Sequence, residues 1–193
     1  MKTLMVAVAA IGLLAQAGLA AQGEMSSMPS MAGSQQDTAM GGDARVAGLI
    51  QAANEAEIAA GKAAWKKAKT KAVRDFAKMM VTEHTKAAGE LAATTKRLGI
   101  QPAESDDVAS LKEGAKRDYQ MLQSAGAKEF DQTYIDSQVK AHHMVLEKLD
   151  QAVANNQGSP NEFGELVKKT RETVARHLDH AEKLQSQAEG NAQ

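Results

Sequence analysis

The sequence predicts an all-α fold: an antiparallel four-helix bundle with an extra short helix between helices two and three. Three observations predict it. Only three prolines, Pro29, Pro102 and Pro160, interrupt the 193 residues. Aromatic residues make up 3% of the chain while alanine and lysine abound, a composition suited to helices rather than sheets. Apolar residues also recur at spacings of three and four over four long stretches, the period of a helix face turned to a core.

The bundle is assigned to residues 43–188, after two segments of different texture. "MKTLMVAVAAIGLLAQAGLA" has an early lysine, an apolar run from Leu4 to Leu14, and small residues at Gly18 and Ala20. That is the layout of a secretory signal peptide, expected over residues 1–21. The run is shorter than the roughly 20 apolar residues of a membrane span. Residues 22–42, "QGEMSSMPSMAGSQQDTAMGG", are rich in Ser, Gly, Gln and Met and read as a flexible tether. With no cysteine in the chain, neither a lipidated cysteine nor a disulfide enters the fold. The expected location is a bacterial periplasm or the cell exterior. The 23 basic and 24 acidic residues are interspersed, which argues against a nucleic-acid partner.

The first helix is expected from Asp43, as N-cap, to Ala68, with Ile50, Asn54, Glu57, Gly61 and Ala64 on one face and Ile58 and Trp65 flanking it. A turn near Lys69–Lys71 leads to a second helix striped by Phe76, Met80, His84, Ala87 and Leu91. Gly99 stops it, with Pro102 just beyond. A short helix within 104–125, touching its neighbours through Leu111, Tyr119 and Leu122, is expected to pack across one end of the bundle. The third long helix, Lys128 to Asn155, carries Phe130, Tyr134, Ile135, Val139, His142, Leu146 and Leu149. Ser159 and Pro160 read as the N-cap and first residue of the last helix. Its stripe is Phe163, Val167, Thr170, Val174, His177, Ala181 and Leu184.

Each long helix therefore turns one unexpected polar residue inward: Glu57, His84, His142 and His177. Counting residues from the turns in an up-down-up-down arrangement puts all four at about one level, at 1.5 Å per residue. A buried carboxylate needs a proton, a histidine or a cation. Two readings stand: a transition-metal site for zinc, copper, iron or manganese, and a hydrogen-bonded polar layer that fixes helix register. His143 and His180 are secondary metal candidates. His143 is rotated from His142 toward a helix boundary, and His180 sits three residues after His177 in "HLDH". Met25, Met28, Met31 and Met40 in the tether are weak Cu(I) candidates, since thioethers are soft ligands.

No phosphate loop, nucleophile elbow or H-E-x-x-H motif is present, so a non-enzymatic protein is expected. Without cysteine a covalent haem is ruled out, and a haem held by Met80 and a histidine is the remaining oxidoreductase alternative.

"AEIAAGKAAWKKA", "VRDFAKMMVTEHTKA", "EFDQTYIDSQVKAHH" and "TRETVARHL" together resemble an exported bacterial family, domain of unknown function four-one-four-two. Its members are often labelled predicted outer membrane protein and grouped with the ferritin-like four-helix bundles. The resemblance covers roughly residues 44–186 and implies that bundle. It maps the family's pattern onto Glu57, His84, His142 and His177. The chain departs from ferritin-like di-iron enzymes, which need Glu three residues before His on each of two helices. Val81, Val139 and Val174 occupy those positions here, so di-iron chemistry is not expected. A metal-holding role in sequestration or envelope stress protection is the functional expectation, with the metal ion as partner and no membrane span in the mature chain.

Overall fold

The computed structural model describes residues 31–155 and 161–190. Among them are five helices and no strand: α1 Met31–Lys67, α2 Lys71–Leu98, α3 Asp106–Ser124, α4 Phe130–Ala154 and α5 Glu162–Gly190. No helix among the described residues is long and apolar enough to cross a membrane.

The first helix corrects the sequence reading. It starts at Met31, so the expected tether is helical from Met31 onward and Asp43 lies buried inside the helix rather than capping it. Residues 22–30 of that tether, and the expected signal segment, lie outside the described residues. Tertiary packing overrides the weak propensity of Gly41 and Gly42. Val46, Ala47, Leu49, Ile50, Ala52 and Ala53 are all buried because α1 is flanked by α2, α3 and α4. A helix buried on several sides loses the one-sided pattern that marks a helix start.

The termini follow local chemistry. Thr70 accepts from the Val73 N–H at 3.3 Å and caps α2, and Ser105 accepts from Val108 at 3.3 Å and caps α3. Gly99, at φ 69°, closes α2 while Ile100 N–H returns to the Thr95 carbonyl at 2.9 Å. Asn161 Oδ1 accepts from Gly164 N–H at 3.1 Å at the start of α5, and the expected cap at Ser159 and Pro160 falls outside the described residues. The α1–α2 turn is clamped from two sides. Asp131 of α4 accepts the Lys69 and Thr70 N–H groups at 2.8 and 2.7 Å. Arg74 donates to the Ala68 and Lys69 carbonyls at 2.9 and 2.6 Å.

The apolar core is divided in two. One cluster holds Val46, Ile50, Leu91, Val108, Leu149 and Phe163, the other Ala64, Phe76, Met80, Leu122, Tyr134 and Ala181. Each helix passes from one to the other. α1 runs from the first cluster to the second, α2 back, α3 forward, α4 back and α5 forward. α2 and α4 therefore share one running sense, unlike the alternation assumed in counting heights from the turns. The reason is α3, whose 19 residues span roughly 28 Å at 1.5 Å per residue and return the chain to its starting level.

The buried face of α4 is also turned slightly from expectation. Gln138, His142, Val145, Leu149 and Ala152 line it, while Val139 and Leu146 are half-buried. Tyr119 of α3 is likewise half-buried, and Val108 and Gly114 join Leu111 and Leu122 on its inner face.

Candidate metal centre

The seam between the two apolar clusters is polar. On α1, Glu57 falls between Ala53 of one cluster and Ala64 of the other; on α2, His84 falls between Met80 and Leu91. His142 lies between Ile135 and Val145 on α4, and His177 between Val174 and Ala181 on α5. All four are buried, with 7%, 5%, 3% and 1% of their surfaces exposed.

The three histidines converge. Their ring centroids are 5.2 Å (His84–His177), 5.6 Å (His142–His177) and 6.0 Å (His84–His142) apart. One ring nitrogen from each lies within 4.8 Å of the others. Each ring is held from behind by an oxygen that can only accept. His84 Nδ1–H donates to Asn54 Oδ1 at 2.8 Å, and His142 Nδ1–H donates to the Gln138 carbonyl at 2.9 Å. His177 Nε2–H donates to Glu83 Oε2 at 2.9 Å, a carboxylate that Arg176 also grips at 2.6 Å. These bonds fix the tautomers, leaving lone pairs on His84 Nε2, His142 Nε2 and His177 Nδ1. All three of those atoms are buried without a hydrogen-bond partner.

Electrostatics disfavour protonation of two of the rings, His84 and His177. Burial, reinforced by the neighbouring His177 and His142, lowers His84 to about 3. Burial also lowers His177, against the opposing pull of Glu83. Burial alone would raise Glu83, but hydrogen bonds from His177 and Arg176 outweigh it and hold the carboxyl low.

Glu57 does not join the nitrogen cluster. Its Oε1 lies 3.9 Å from His142 Nδ1, the nitrogen already bonded to the Gln138 carbonyl, so the carboxyl stands behind the ring. Burial raises its pKa, partly offset by His142 and a hydrogen bond from Gln138. The other candidates lie elsewhere. His143 is exposed and pairs with Glu182 of α5 at 3.0 Å, on the α4–α5 boundary. His180 is exposed and sets its ring edge on Phe76 at 5.0 Å. Met80 is fully buried in an apolar cluster with Phe76 and Tyr134. Met31 and Met40 lie in α1, while Met25 and Met28 are outside the described residues.

Sequence reasoning missed the groups that hold the rings. Asn54 was on the predicted face of the first helix but went unremarked beside Glu57, and Gln138 precedes His142 by one turn. Glu83 stands next to His84 yet serves the histidine of another helix, which no local pattern reveals.

The metal-free protein is expected to lose stability on acidification. His84 and His177 titrate near 6.5 when unfolded and lower when folded, so the unfolded chain binds more protons as pH falls below 6.5. Each contributes up to about 1.4 kcal/mol per pH unit in that window. Glu83, lowered in the fold, adds a loss at lower pH still. Glu57 opposes them: its raised folded pKa favours the fold below 4.5, an effect lost as pH rises through the folded value. Two histidines against one carboxyl leave a net loss. Urea midpoints in EDTA at pH 7.5, 6.0 and 5.0 check this, and equal midpoints would refute it.

Comparison with known proteins adds one finding. The family model described as Domain of unknown function (DUF4142) matches residues 27–184, and the chain belongs to that family. No curated protein and no solved structure matches the chain.

Proposed function

We propose that this DUF4142 chain is a non-catalytic, exported protein that holds a divalent transition-metal ion through His84, His142 and His177. The fold that presents them is an antiparallel four-helix bundle of the ferritin-like kind, made of α1, α2, α4 and α5, with α3 as its one long crossover. Residues 1–21 act as the export signal, and the periplasm is the place of action. Sequestration of the metal, or protection of the envelope from it, is the role that follows.

One observation carries this reading: three buried imidazoles converge, each with one ring nitrogen unpartnered and the opposite nitrogen anchored to an oxygen acceptor. Anchoring of the second nitrogen to a carbonyl or carboxylate is the usual support of a metal-binding histidine. A purely hydrogen-bonded layer needs a donor for every acceptor, and three facing lone pairs supply none. A cation satisfies all three at once. In tetrahedral zinc sites, nitrogens at 2.0–2.1 Å from the ion lie about 3.4 Å apart, so the rings close in slightly on loading. Imidazole ligation favours zinc, copper, iron or nickel over calcium or magnesium.

Calorimetric titration of chelator-treated, untagged protein with Zn²⁺ and Co²⁺ tests it. One ion per chain is expected, with His84→Ala, His142→Ala and His177→Ala each weakening binding at least tenfold. Failure of the wild-type chain to take up either ion overturns the proposal.

A further inference from the structure

A cavity of about 500 Å³ opens beside two of the three histidines. It exists because small residues meet where α1, α3 and α4 face one another: Ala53, Ala60, Gly114 and Ala141, with Leu111 and Val145 as apolar walls. Its volume lies in the roughly 300–1,000 Å³ range of small-molecule sites. The inner end is polar, lined by Glu57, His84, Gln138 and His142. There Glu57 Oε2, Gln138 Oε1, His84 Nε2 and His142 Nε2 are buried without hydrogen-bond partners. His177 does not line this space. It borders a second, far smaller one of about 40 Å³ together with Glu83 and Asn54.

We propose that the cavity binds a small, largely apolar aromatic diol of the catechol type, one oxygen on the metal ion and the neighbouring hydroxyl on Glu57 and Gln138. The proposal rests on the metal reading above. Three protein nitrogens leave a tetrahedral ion one position to fill from outside. The roomy approach to that position runs between His84 and His142, where the cavity lies. Neutral imidazoles leave the ion its full charge, which favours an oxygen that gives up its proton to solvent on binding. The unpartnered oxygens of Glu57 and Gln138 call for a donor beside that oxygen, and a vicinal diol supplies both functions. The ring fills the apolar walls.

Gly114 is the place to test it. A Cβ built there meets nothing closer than Arg117 Nη2 at 3.9 Å, so a side chain can enter the cavity without striking the backbone. The probe is 4-nitrocatechol, whose visible band moves when its oxygens bind zinc. Zinc-loaded wild-type protein is expected to give a saturable shift at one probe per chain, with zinc still bound after gel filtration. Gly114→Leu, and independently Ala141→Leu, are expected to weaken the probe at least tenfold while zinc titrates as in wild type. Folding of both variants is read from their helical circular dichroism. Zinc binding without a probe shift, stripping of the zinc by the probe, or equal probe affinity in both folded variants overturns the diol site and leaves the metal site standing. Failure of wild-type protein to bind zinc removes both.

Discussion

Zinc at one hundred times its dissociation constant is expected to raise the unfolding free energy by about 2.7 kcal/mol, and EDTA to remove the gain. For a chain of this size that corresponds to about 5–11 °C in Tm. The effect depends on the groups behind the rings as much as on the rings. Glu83→Gln retains an acceptor for His177 but loses the charge that holds Arg176 and the ring together, and is expected to weaken zinc about 10–100-fold. His142→Leu removes a lone pair with nothing to bind, and the carbonyl behind it, Gln138, belongs to the backbone of α4. In EDTA this variant is therefore expected to be as stable as wild type or more so, while its response to zinc disappears. Thermal unfolding with and without zinc checks all three chains. A wild-type Tm unmoved by zinc, or a His142→Leu variant that responds equally, would rule the centre out.

Two glycines are expected to respond oppositely to the same substitution. A Cβ at Gly48 would overlap the Ala103 carbonyl oxygen and lie 3.1 Å from its carbon. This is a contact with backbone, and it cannot swing away. The connection between α2 and α3 lies directly on α1 here, fixed by the Ala103 N–H bond to the Ala44 carbonyl at 2.8 Å. Gly48→Ala must push that connection off the helix, at a cost of about 3 kcal/mol, the upper part of the overpacking range. Gly89 of α2 has nothing within 4 Å of its Cβ position. Gly89→Ala is expected to stabilise by about 0.8–1 kcal/mol through helix propensity alone. Urea unfolding of both variants measures the pair, and a Gly48→Ala chain as stable as wild type would refute the close approach.

What the sequence revealed, and what it hid, follows from the range of each interaction. The stop at Gly99 and the stripe Phe76, Met80, His84 and Leu91 were legible because caps and helix periodicity are local. The start of α1 was not, because the Ser-, Gly- and Gln-rich stretch from Met31 to Gly42 has weak helix propensity and no apolar stripe to mark a helix. The histidine level was inferred from an alternation of the four long helices, whereas α3 restores the level and leaves α2 and α4 running in one sense. The inference survived because His84 and His142 both sit near the middle of their helices, where reversing a helix moves a residue little. Glu57 had the right depth but the wrong direction: periodicity gives a face, and which atom of a neighbouring ring it meets depends on side-chain packing. The bond from His177 to Glu83 joins residues on different helices and has no signature in the spacing of either.

The three imidazoles come from α2, α4 and α5, with the whole of α3 intervening in the chain between the first and the other two. An ion can be gripped by all of them only once α2, α4 and α5 have docked, and we expect that step to follow the rate-limiting barrier. Interactions made that late leave the speed of refolding almost untouched and act on the escape rate instead. A loaded centre of the kind proposed would then serve as a time-lock: the 2.7 kcal/mol above would become about a hundredfold longer native lifetime.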